Sequence, residues 1–380
     1  MNQKRKKLIA IMLLSMYLLS YMAITPIVAS IYHDFPNTSL EHIQIIVTFI
    51  PLFSVITMFL CTPLSKKISM KHIGALGLFF IAIGGIIPVL FHRYLWQVYL
   101  SSILLGLGTG LVNVISSTLI SYYFTGTDKM KVMGYQSVFV SVGGTLFSYL
   151  SGILATIHWT TSYLCYLTAL FAIVILLSFL PNDKLVQEKK VKKKLPLRLY
   201  WLGIISILFF IALNIFNTSV AVLLEDLGYS SQISGLATAL YTLIGIIAGM
   251  ILNKIVKVMK QHTLTFACFL ATIALLLISL NQVIFIFIGS ALLGFSFASR
   301  NPAGITLSAN MVEEEQSAFA IAIFNGAGQF GCFLSPYVIR ILQTPFSNGM
   351  ATSFFIAAMI MAVVTLLHFV LNPIQKDDMA

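Results

Sequence analysis

Twelve apolar runs, each long enough to cross a bilayer as a helix, follow one another along this 380-residue chain. A helix needs about 20 residues to span the hydrocarbon core. The runs lie near residues 8–33, 43–64, 73–91, 96–123, 133–155, 160–180, 199–224, 231–252, 263–280, 283–309, 317–341 and 350–371. Membrane β-barrels are excluded, because their strands alternate in hydrophobicity over only about 10 residues. The sequence therefore predicts an all-α integral membrane protein with twelve transmembrane helices.

Composition excludes the soluble alternatives. Charged residues make up only 9% of the chain and hydrophobic residues 58%, whereas soluble domains average about 25% and 45–50%. The four cysteines each stand in an apolar run and form no close pair, which predicts small core residues rather than a metal or redox site. No enzyme motif, such as a P-loop or His-Glu-x-x-His, is present. We therefore expect no enzyme activity, no cofactor and no metal.

The basic residues predict the orientation in the membrane. With a cytoplasmic N-terminus, 20 of the 23 Lys and Arg residues face the cytoplasm, only Arg93 and Arg340 lie outside, and Arg300 lies within a span. This asymmetry follows the positive-inside rule, and it explains the net charge of +11 without a nucleic-acid partner. The expectation is a multi-pass protein of the plasma (inner) membrane with both termini cytoplasmic.

A long polar connection and an internal repeat divide the chain. We predict an N-terminal six-helix half over 1–181, a cytoplasmic basic linker over 182–198 and a C-terminal six-helix half over 199–380. Three pairs of features carry the repeat: Leu104–Gly108 and Asn113 with Leu292–Ser296 and Asn301 at an offset of 188, Lys66-Lys67 with Asn253-Lys254 at 187, and Gly144 with Gly328 at 184. Such offsets indicate duplication, with an expected binding site near the midplane between the halves.

Four stretches resemble a known family: Ile27–Ile31 before Asp34-Phe35-Pro36, Leu105–Asn113, Gly143-Gly144 through Gly152, and Leu293-Gly294 through Asn301-Pro302. In these the chain resembles the major facilitator superfamily, and most of all its twelve-span drug:proton antiporter branch. The resemblance implies a secondary transporter with alternating access. It also implies that helices 1, 4, 7 and 10 line the cavity, with helices 5 and 11 nearby.

The chain departs from that branch where proton coupling is concerned. Lys66 stands where the acid of the loop between the second and third spans is usual, and Asn253 stands in its second-half copy. Ser102 replaces an Arg that is commonly implicated in coupling. All twelve acids lie at span ends, in loops or in tails, although a proton-coupled cation exporter would want a buried carboxylate. Asp34, beside His33, is the proton-coupling candidate; the alternative is an interfacial pair.

Arg300 is the sharpest single feature. A cation in the middle of a transmembrane helix costs about 2.5–3.5 kcal/mol on insertion scales. Nine residues separate Arg300 from the predicted helix end at Ala309, about 14 Å along a helix. Arg300 is therefore predicted to face an aqueous cavity, where it contacts an anion or forms a gate. The alternative is a structural Arg bonded to carbonyls or polar neighbours on adjacent helices.

Other polar side chains in the spans complete a predicted substrate site. Asn214 and Asn217 are spaced to share one helix face, as are Tyr17 and Tyr21. The full predicted set is Arg300, Asn301, Asn113, Asn214, Asn217, Tyr17, Tyr21, Gln136, Asn325 and Gln329. For each residue alone, a helix–helix hydrogen bond is the alternative.

The predicted function is secondary active transport of a small organic solute, a drug or a metabolite. The resemblance favours efflux by an antiporter, and Arg300 favours an anionic or zwitterionic substrate. The expected partners are the solute, membrane lipid, and protons or another counter-ion, with the chain acting as a monomer. Two other kinds of transport stay open, an anion exchanger or uptake carrier and a lipid flippase. A non-transporting membrane sensor or assembly factor is the alternative of another class.

Overall fold

The computed structural model describes residues 3–65, 67–124, 126–183, 195–259, 262–312, 317–346 and 349–375. All regular structure in these ranges is helical, which confirms the predicted all-α fold with twelve helices. In chain order they are α1 Gln3–Asp34, α2 Leu40–Ser65, α3 Met70–Leu90, α4 Leu95–Tyr123, α5 Gly126–Leu154, α6 Trp159–Phe179, α7 Leu197–Asp226, α8 Ser231–Met259, α9 Thr263–Ser279, α10 Val283–Asn310, α11 Ser317–Gln343 and α12 Met350–Gln375.

Ten of these helices are long and apolar enough to cross a membrane. Helix α9 is apolar but has only 17 residues. Helix α11 is not among the ten, and it carries the polar residues Asn325 and Gln329 in its middle. The chain is thus a multi-pass integral membrane protein.

Helix α1 is not one continuous α-helix. Its ends, Gln3–Ser15 and Val28–Asp34, are α-helical, but Met16–Ala23 and Thr25–Ile27 are 3₁₀-helical. This corrects the prediction that Tyr17 and Tyr21 share a face. A 3₁₀-helix has 3.0 residues per turn, so residues four apart point in different directions. Accordingly, Tyr17 is buried while Tyr21 is only partly buried.

By its internal contacts the chain forms two compact units. Unit 1 contains Met1–Glu188 and Tyr229–Ala239, and unit 2 contains Lys189–Gly228 and Leu240–Ala380. Helix α8 therefore begins in unit 1 and continues in unit 2.

Small residues attach the start of α8 to the rest of unit 1. The backbones of Gly152 on α5 and Gly235 on α8 are so close that a side chain on either would collide with the other. The hydroxyl of Ser148 donates to Thr238, and Ser30 and Ser231 share a hydrogen bond of 2.9 Å. This combination of close backbone approach and hydroxyl bonds is typical of helix packing in membranes.

The two units repeat the same close helix crossings. Gly106 on α4 lies against the carbonyl of Ile50 on α2, and Gly294 on α10 lies against the carbonyl of Tyr241 on α8. At each crossing a methyl group would overlap the facing carbonyl oxygen, so only glycine fits. The glycines are 188 residues apart in sequence and the facing residues 191.

A second pair of crossings corrects one element of the predicted repeat. Gly143 on α5 lies against the carbonyl of Met16, and Gly331 on α11 lies against the carbonyl of Ile207 on α7. These residues show the same offsets of 188 and 191. The structure therefore pairs Gly143 with Gly331, not Gly144 with Gly328, because equivalent glycines are those that contact equivalent carbonyls.

Candidate functional site

Arg300 lies in the core of unit 2. Helix α10 continues for ten residues beyond it to Asn310, about 15 Å, and the side chain is 0% exposed. Its Nε, Nη1 and Nη2 atoms have no hydrogen-bond partner among the residues that the structure describes. In the described part of the chain, Arg300 thus neither faces the predicted aqueous cavity nor forms the hydrogen bonds of the structural alternative.

Phenylalanine rings surround the guanidinium in place of acceptors. The guanidinium carbon lies 4.0 Å from the centroid of Phe209, 5.4 Å from that of Phe324 and 5.7 Å from that of Phe210. Phe209 and Phe210 come from α7, and Phe324 comes from α11. A cation within about 6 Å of a ring face is attracted to it, by about 2 kcal/mol or more when both are desolvated.

Two further helices place polar groups near the cation. The Cys268 thiol on α9 lies beside the guanidinium, without the geometry of a hydrogen bond. His368 on α12 lies within electrostatic range of it, and neither ring nitrogen of His368 has a partner in the described residues. The hydroxyl of Ser299, next to Arg300 in the chain, is buried without a partner as well.

This buried cluster is costly for the fold. An unpaired buried polar group costs about 1–3 kcal/mol, and a charged one costs more. Ring contacts offset only part of the cost of Arg300, because they do not replace the hydrogen bonds that its N–H groups make in water. Buried polar groups without hydrogen-bond partners are typical of functional sites, where binding or chemistry, and not stability, determines which residue is present.

The repeat shows that the fold does not require this charge. At the offset of 188, Arg300 corresponds to Val112 on α4, which is 0% exposed in the core of unit 1. The same fold position thus accepts an apolar residue. The charge is a property of one copy of the repeat and not of its architecture.

The neighbours of Arg300 differ between the copies in the same way. In unit 1, Gln136 on α5 donates to the Ser116 hydroxyl on α4 at 2.8 Å. Their equivalents at 188 residues are Phe324 and Gly304, and the Phe324 ring fills the space that a side chain at 304 would need. Where unit 1 has this polar pair, unit 2 has an aromatic ring over a glycine, and that ring lies beside the guanidinium.

Asn214 and Asn217 on α7 bind to protein atoms. The Asn214 amide donates to the Cys332 carbonyl on α11 at 3.0 Å, and the Asn217 amide donates to Asn214 Oδ1 at 3.2 Å. The first bond is the helix–helix alternative noted from the sequence. The Asn217 carbonyl oxygen stays buried without a partner among the described residues, so this residue keeps one free acceptor.

The remaining predicted residues of unit 2 are Asn301, Asn325 and Gln329, and all three are partly buried. Asn325 follows Phe324 directly, and Gln329 lies one turn further along α11. Together with Arg300 and the two α7 asparagines, they place six predicted residues on α7, α10 and α11 of one unit.

The predicted residues of unit 1 are bonded mainly within the unit. The Tyr17 hydroxyl donates to Thr168 at 3.0 Å, and its ring packs edge-on against Phe147. Gln136 joins the chain of hydroxyls that continues from Ser116 to Ser15 at 2.7 Å. Asn113 and Tyr21 are partly buried. Unit 1 thus carries neutral polar groups where unit 2 carries a cation.

Asp34, the proton-coupling candidate, lies at the end of α1 in a cluster that sequence reasoning missed. The Trp159 indole N–H donates to its carboxylate, and His158 Nε2 lies 3.5 Å from the same oxygen. The ring of His92 lies 5.7 Å from that of His158. His92 lies just after the end of α3, and His158 and Trp159 lie at the start of α6. Hydrophobic periodicity does not predict that these residues lie next to the end of α1. His33, the neighbour named from the sequence, is exposed.

Other described acids also lie at helix ends. Asp128, near the start of α5, forms an ion pair of 2.7 Å with Lys4, and Lys4 holds the pKa of that carboxyl below its ordinary value. The Tyr123 hydroxyl at the end of α4 donates to Asp183 at 2.7 Å. A groove of about 270 Å³ beside the first pair is lined partly by Arg5 and Lys131, and none of the predicted substrate residues lines it.

Comparison with known proteins identifies the architecture. A bacterial homologue of the human lysosomal transporter Spinster, solved in an inward-facing and unoccupied conformation, matches with a TM-score of 0.77 at 13% identity, over 100% of this chain and 99% of that one. The D-xylose-proton symporter matches with 0.74 at 16%, over 96% of each chain. The human organic anion transporter MFSD10 (TETRAN) matches with 0.69 at 16%, over 97% and 100%. These likenesses show a shared transporter fold.

Sequence comparison gives the family. No curated protein sequence matches the chain. The profile of the Major Facilitator Superfamily matches it twice, over residues 9–205 and 202–378. The two matches together cover both copies of the repeat that the glycine crossings define. The chain belongs to the Major Facilitator Superfamily.

Proposed function

We propose that the chain is a secondary active transporter that moves a small organic solute, a drug or a metabolite, across the plasma membrane by alternating access. The observation that carries the proposal is the double match to the family, one for each copy of the repeat. A duplicated six-helix unit with its helix crossings preserved is typical of transporters and disfavours a sensor or assembly factor. Efflux by an antiporter is the favoured direction, with the chain acting as a monomer.

Asp34 is the proposed proton-coupling group. Its carboxylate lies at a helix end with His158 and Trp159, and the described acids lie near helix ends. The alternative is that coupling is absent. With an acid at a helix end as the one coupling group, or with no coupling, a proton gradient should have only a weak effect on the transport rate. An anion exchanger or uptake carrier is the second candidate, and Arg300 favours it because such a carrier needs a buried cation and no acid.

The proposed orientation places both termini in the cytoplasm, because 20 of 23 basic residues then lie inside. Reporter fusions test it. Fusions after Thr127, Glu188 and Gln261 should report the cytoplasm, and fusions near Thr38, Ser230 and Asn348 should report the exterior. An external signal after Glu188 would refute the arrangement.

Reconstitution tests the function itself. The purified chain in proteoliposomes is offered a panel of radiolabelled drugs and metabolites of each charge, with and without an imposed pH gradient, beside protein-free vesicles as control. Saturable movement of at least one solute supports the proposal. Movement of labelled lipid alone indicates a flippase, and movement of neither in correctly oriented, folded protein contradicts transport.

A further inference from the structure

We propose that Arg300 is the anion-binding group of the transporter and that its substrate is an organic carboxylate with a flat, apolar body. The proposal rests on the proposed transport function and names the substrate class. The carboxylate would pair with the guanidinium, and the apolar body would pack against the surrounding rings. Four features of the surroundings of Arg300 indicate this class.

The first observation is the set of unused donors. A guanidinium has five N–H donors in a planar fork, and the described residues provide no acceptor for any of its three nitrogens. A carboxylate matches the fork with two parallel hydrogen bonds. A neutral carbonyl offers one acceptor atom and no charge, and a cationic solute would be repelled.

The second observation is the balance of charge. The described acids of unit 2 are Glu225 and Asp226, at the end of α7. Arg300 lies in the core, against the middle of that helix. Both acids are therefore too far along α7 to neutralise the guanidinium, and a ligand with a negative charge would supply the countercharge.

The third observation is the asymmetry of the repeat. Val112 occupies the equivalent buried position in unit 1, so packing alone does not call for an arginine. The replacement of the Gln136–Ser116 pair by Phe324 over Gly304 accompanies the charge. The two copies thus differ at Arg300 itself and at the residues around it, as expected if this side chain binds a ligand.

The fourth observation is the aromatic wall, which defines the rest of the substrate. Phe210 is partly buried and packs edge-on against Phe297 at 6.2 Å. Of the three rings it lies farthest from the guanidinium, and a flat apolar group of the ligand could take its place beside Arg300.

A proline near Arg300 allows access to the site. Pro302 lies two residues after Arg300 inside α10. It leaves the Ala298 carbonyl without its helical hydrogen bond, so α10 can bend where access to Arg300 is needed.

Cys268 provides a test that does not depend on transport. In a variant with Cys61, Cys165 and Cys332 changed to Ala, Cys268 is the one remaining thiol. A methanethiosulfonate reagent reports its access to water, because the thiolate attacks the sulfenyl sulfur, forms a disulfide and releases methanesulfinate. We expect the anionic sulfonatoethyl reagent to react faster than the cationic aminoethyl reagent. Arg300→Gln should remove this preference, and benzoate, but not benzamide, should protect the thiol.

Binding measurements complete the test. Benzoate and longer arylcarboxylates are titrated into the protein in detergent, with their amides and amines as matched ligands. Because a charged hydrogen bond is lost, Arg300→Gln should weaken carboxylate binding by about 10- to 150-fold. Arg300→Lys should weaken it less, since it keeps the charge but loses the fork. Arg340→Gln, which removes an exposed arginine at the end of α11, is the control and should change nothing.

The outcomes separate this inference from the proposed function. Transport of neutral or cationic solutes that Arg300→Gln leaves unchanged, with no carboxylate protecting Cys268, overturns the inference and leaves the transporter standing. No reaction of Cys268 with either reagent during turnover also overturns it, because a ligand could not reach the cation. Carboxylate binding that depends on Arg300, without movement of any solute, contradicts transport and supports the site.

Discussion

Replacing Arg300 by Met should make the protein more stable. The guanidinium is 0% exposed and has no acceptor among the described residues. Met has a similar length, no charge and enough flexibility to fill the space between the three rings. If the arginine serves a ligand, the fold loses nothing that it needs when the charge is removed, and Val112 in unit 1 shows that an apolar residue fits there.

The size of the effect follows from two opposing terms. Replacing buried ionic groups by apolar residues of similar volume stabilises some proteins by about 1–4 kcal/mol. Against this stands the attraction to the Phe209 ring at 4.0 Å, about 2 kcal/mol for a desolvated pair. The difference lies between about −1 and +2 kcal/mol. Because this guanidinium has no acceptor among the described residues, unlike the paired groups behind that range, we expect the upper half, a gain of up to about 2 kcal/mol. With about 2–4 °C per kcal/mol for 150–250 residues, the Tm should rise by up to roughly 8 °C.

Thermal unfolding of the purified protein in one detergent, at one protein concentration, measures this change. Arg340→Met is the control, because Arg340 is exposed and its loss should leave the Tm within about 2 °C, as for most surface substitutions. A fall of several degrees for Arg300→Met, with the control unchanged, would refute the reasoning. It would mean that the ring contacts hold unit 2 together and that Arg300 is structural.

Three further predictions concern other parts of the chain. Gly294→Ala should cost about 1–3 kcal/mol in thermal unfolding, because its methyl group would overlap the Tyr241 carbonyl, whereas Gly249→Ala, with no atom within 4 Å, should cost nothing. Lys4→Gln should raise the pKa of Asp128 toward its ordinary value, followed by carboxyl NMR; this pair is complete at neutral pH and is lost as the pH falls through the lowered pKa, so an unchanged titration contradicts the ion pair. Transport should respond weakly to a proton gradient, and a strong response that survives Asp34→Asn would place coupling elsewhere.

The sequence predicted the helices because hydrophobic length is a local property. Twelve apolar runs became twelve helices with nearly the same limits, and the glycine pair Gly106 and Gly294 revealed the repeat. The 3₁₀ stretch of α1 was missed, because an apolar run has the same hydrophobic length in either kind of helix and does not show where the backbone tightens. The wrong pairing of Gly144 with Gly328 arose because each copy has more than one glycine in this region, and an offset of 184 could not be told from 188 until the contacts of Gly143 and Gly331 were known.

The surroundings of Arg300 could be predicted only in part. The free-energy cost of an arginine within a membrane helix and the distance of Arg300 from the helix end follow from the sequence. Both identified Arg300 as a candidate functional residue. The rings and the Cys268 thiol come from other helices, whose rotation in the bundle no apolar pattern defines, because both lipid and core are apolar. The sequence did contain one further indication. At the offset of 188, Arg300 corresponds to Val112 and Phe324 corresponds to Gln136, so the two copies of the repeat differ at this position.

The 3₁₀ stretch of α1 has a mechanical consequence. Eight residues, Met16–Ala23, rise about 2.0 Å each instead of the 1.5 Å of an α-helix. Winding them back into α geometry would shorten α1 by about 4 Å and turn one end against the other by roughly 160°. Lys4 at one end of α1 pairs with Asp128, and Asp34 at the other end accepts from Trp159. A change of this size would separate at least one of these pairs, and the exposed Lys4–Asp128 pair is the weaker of the two.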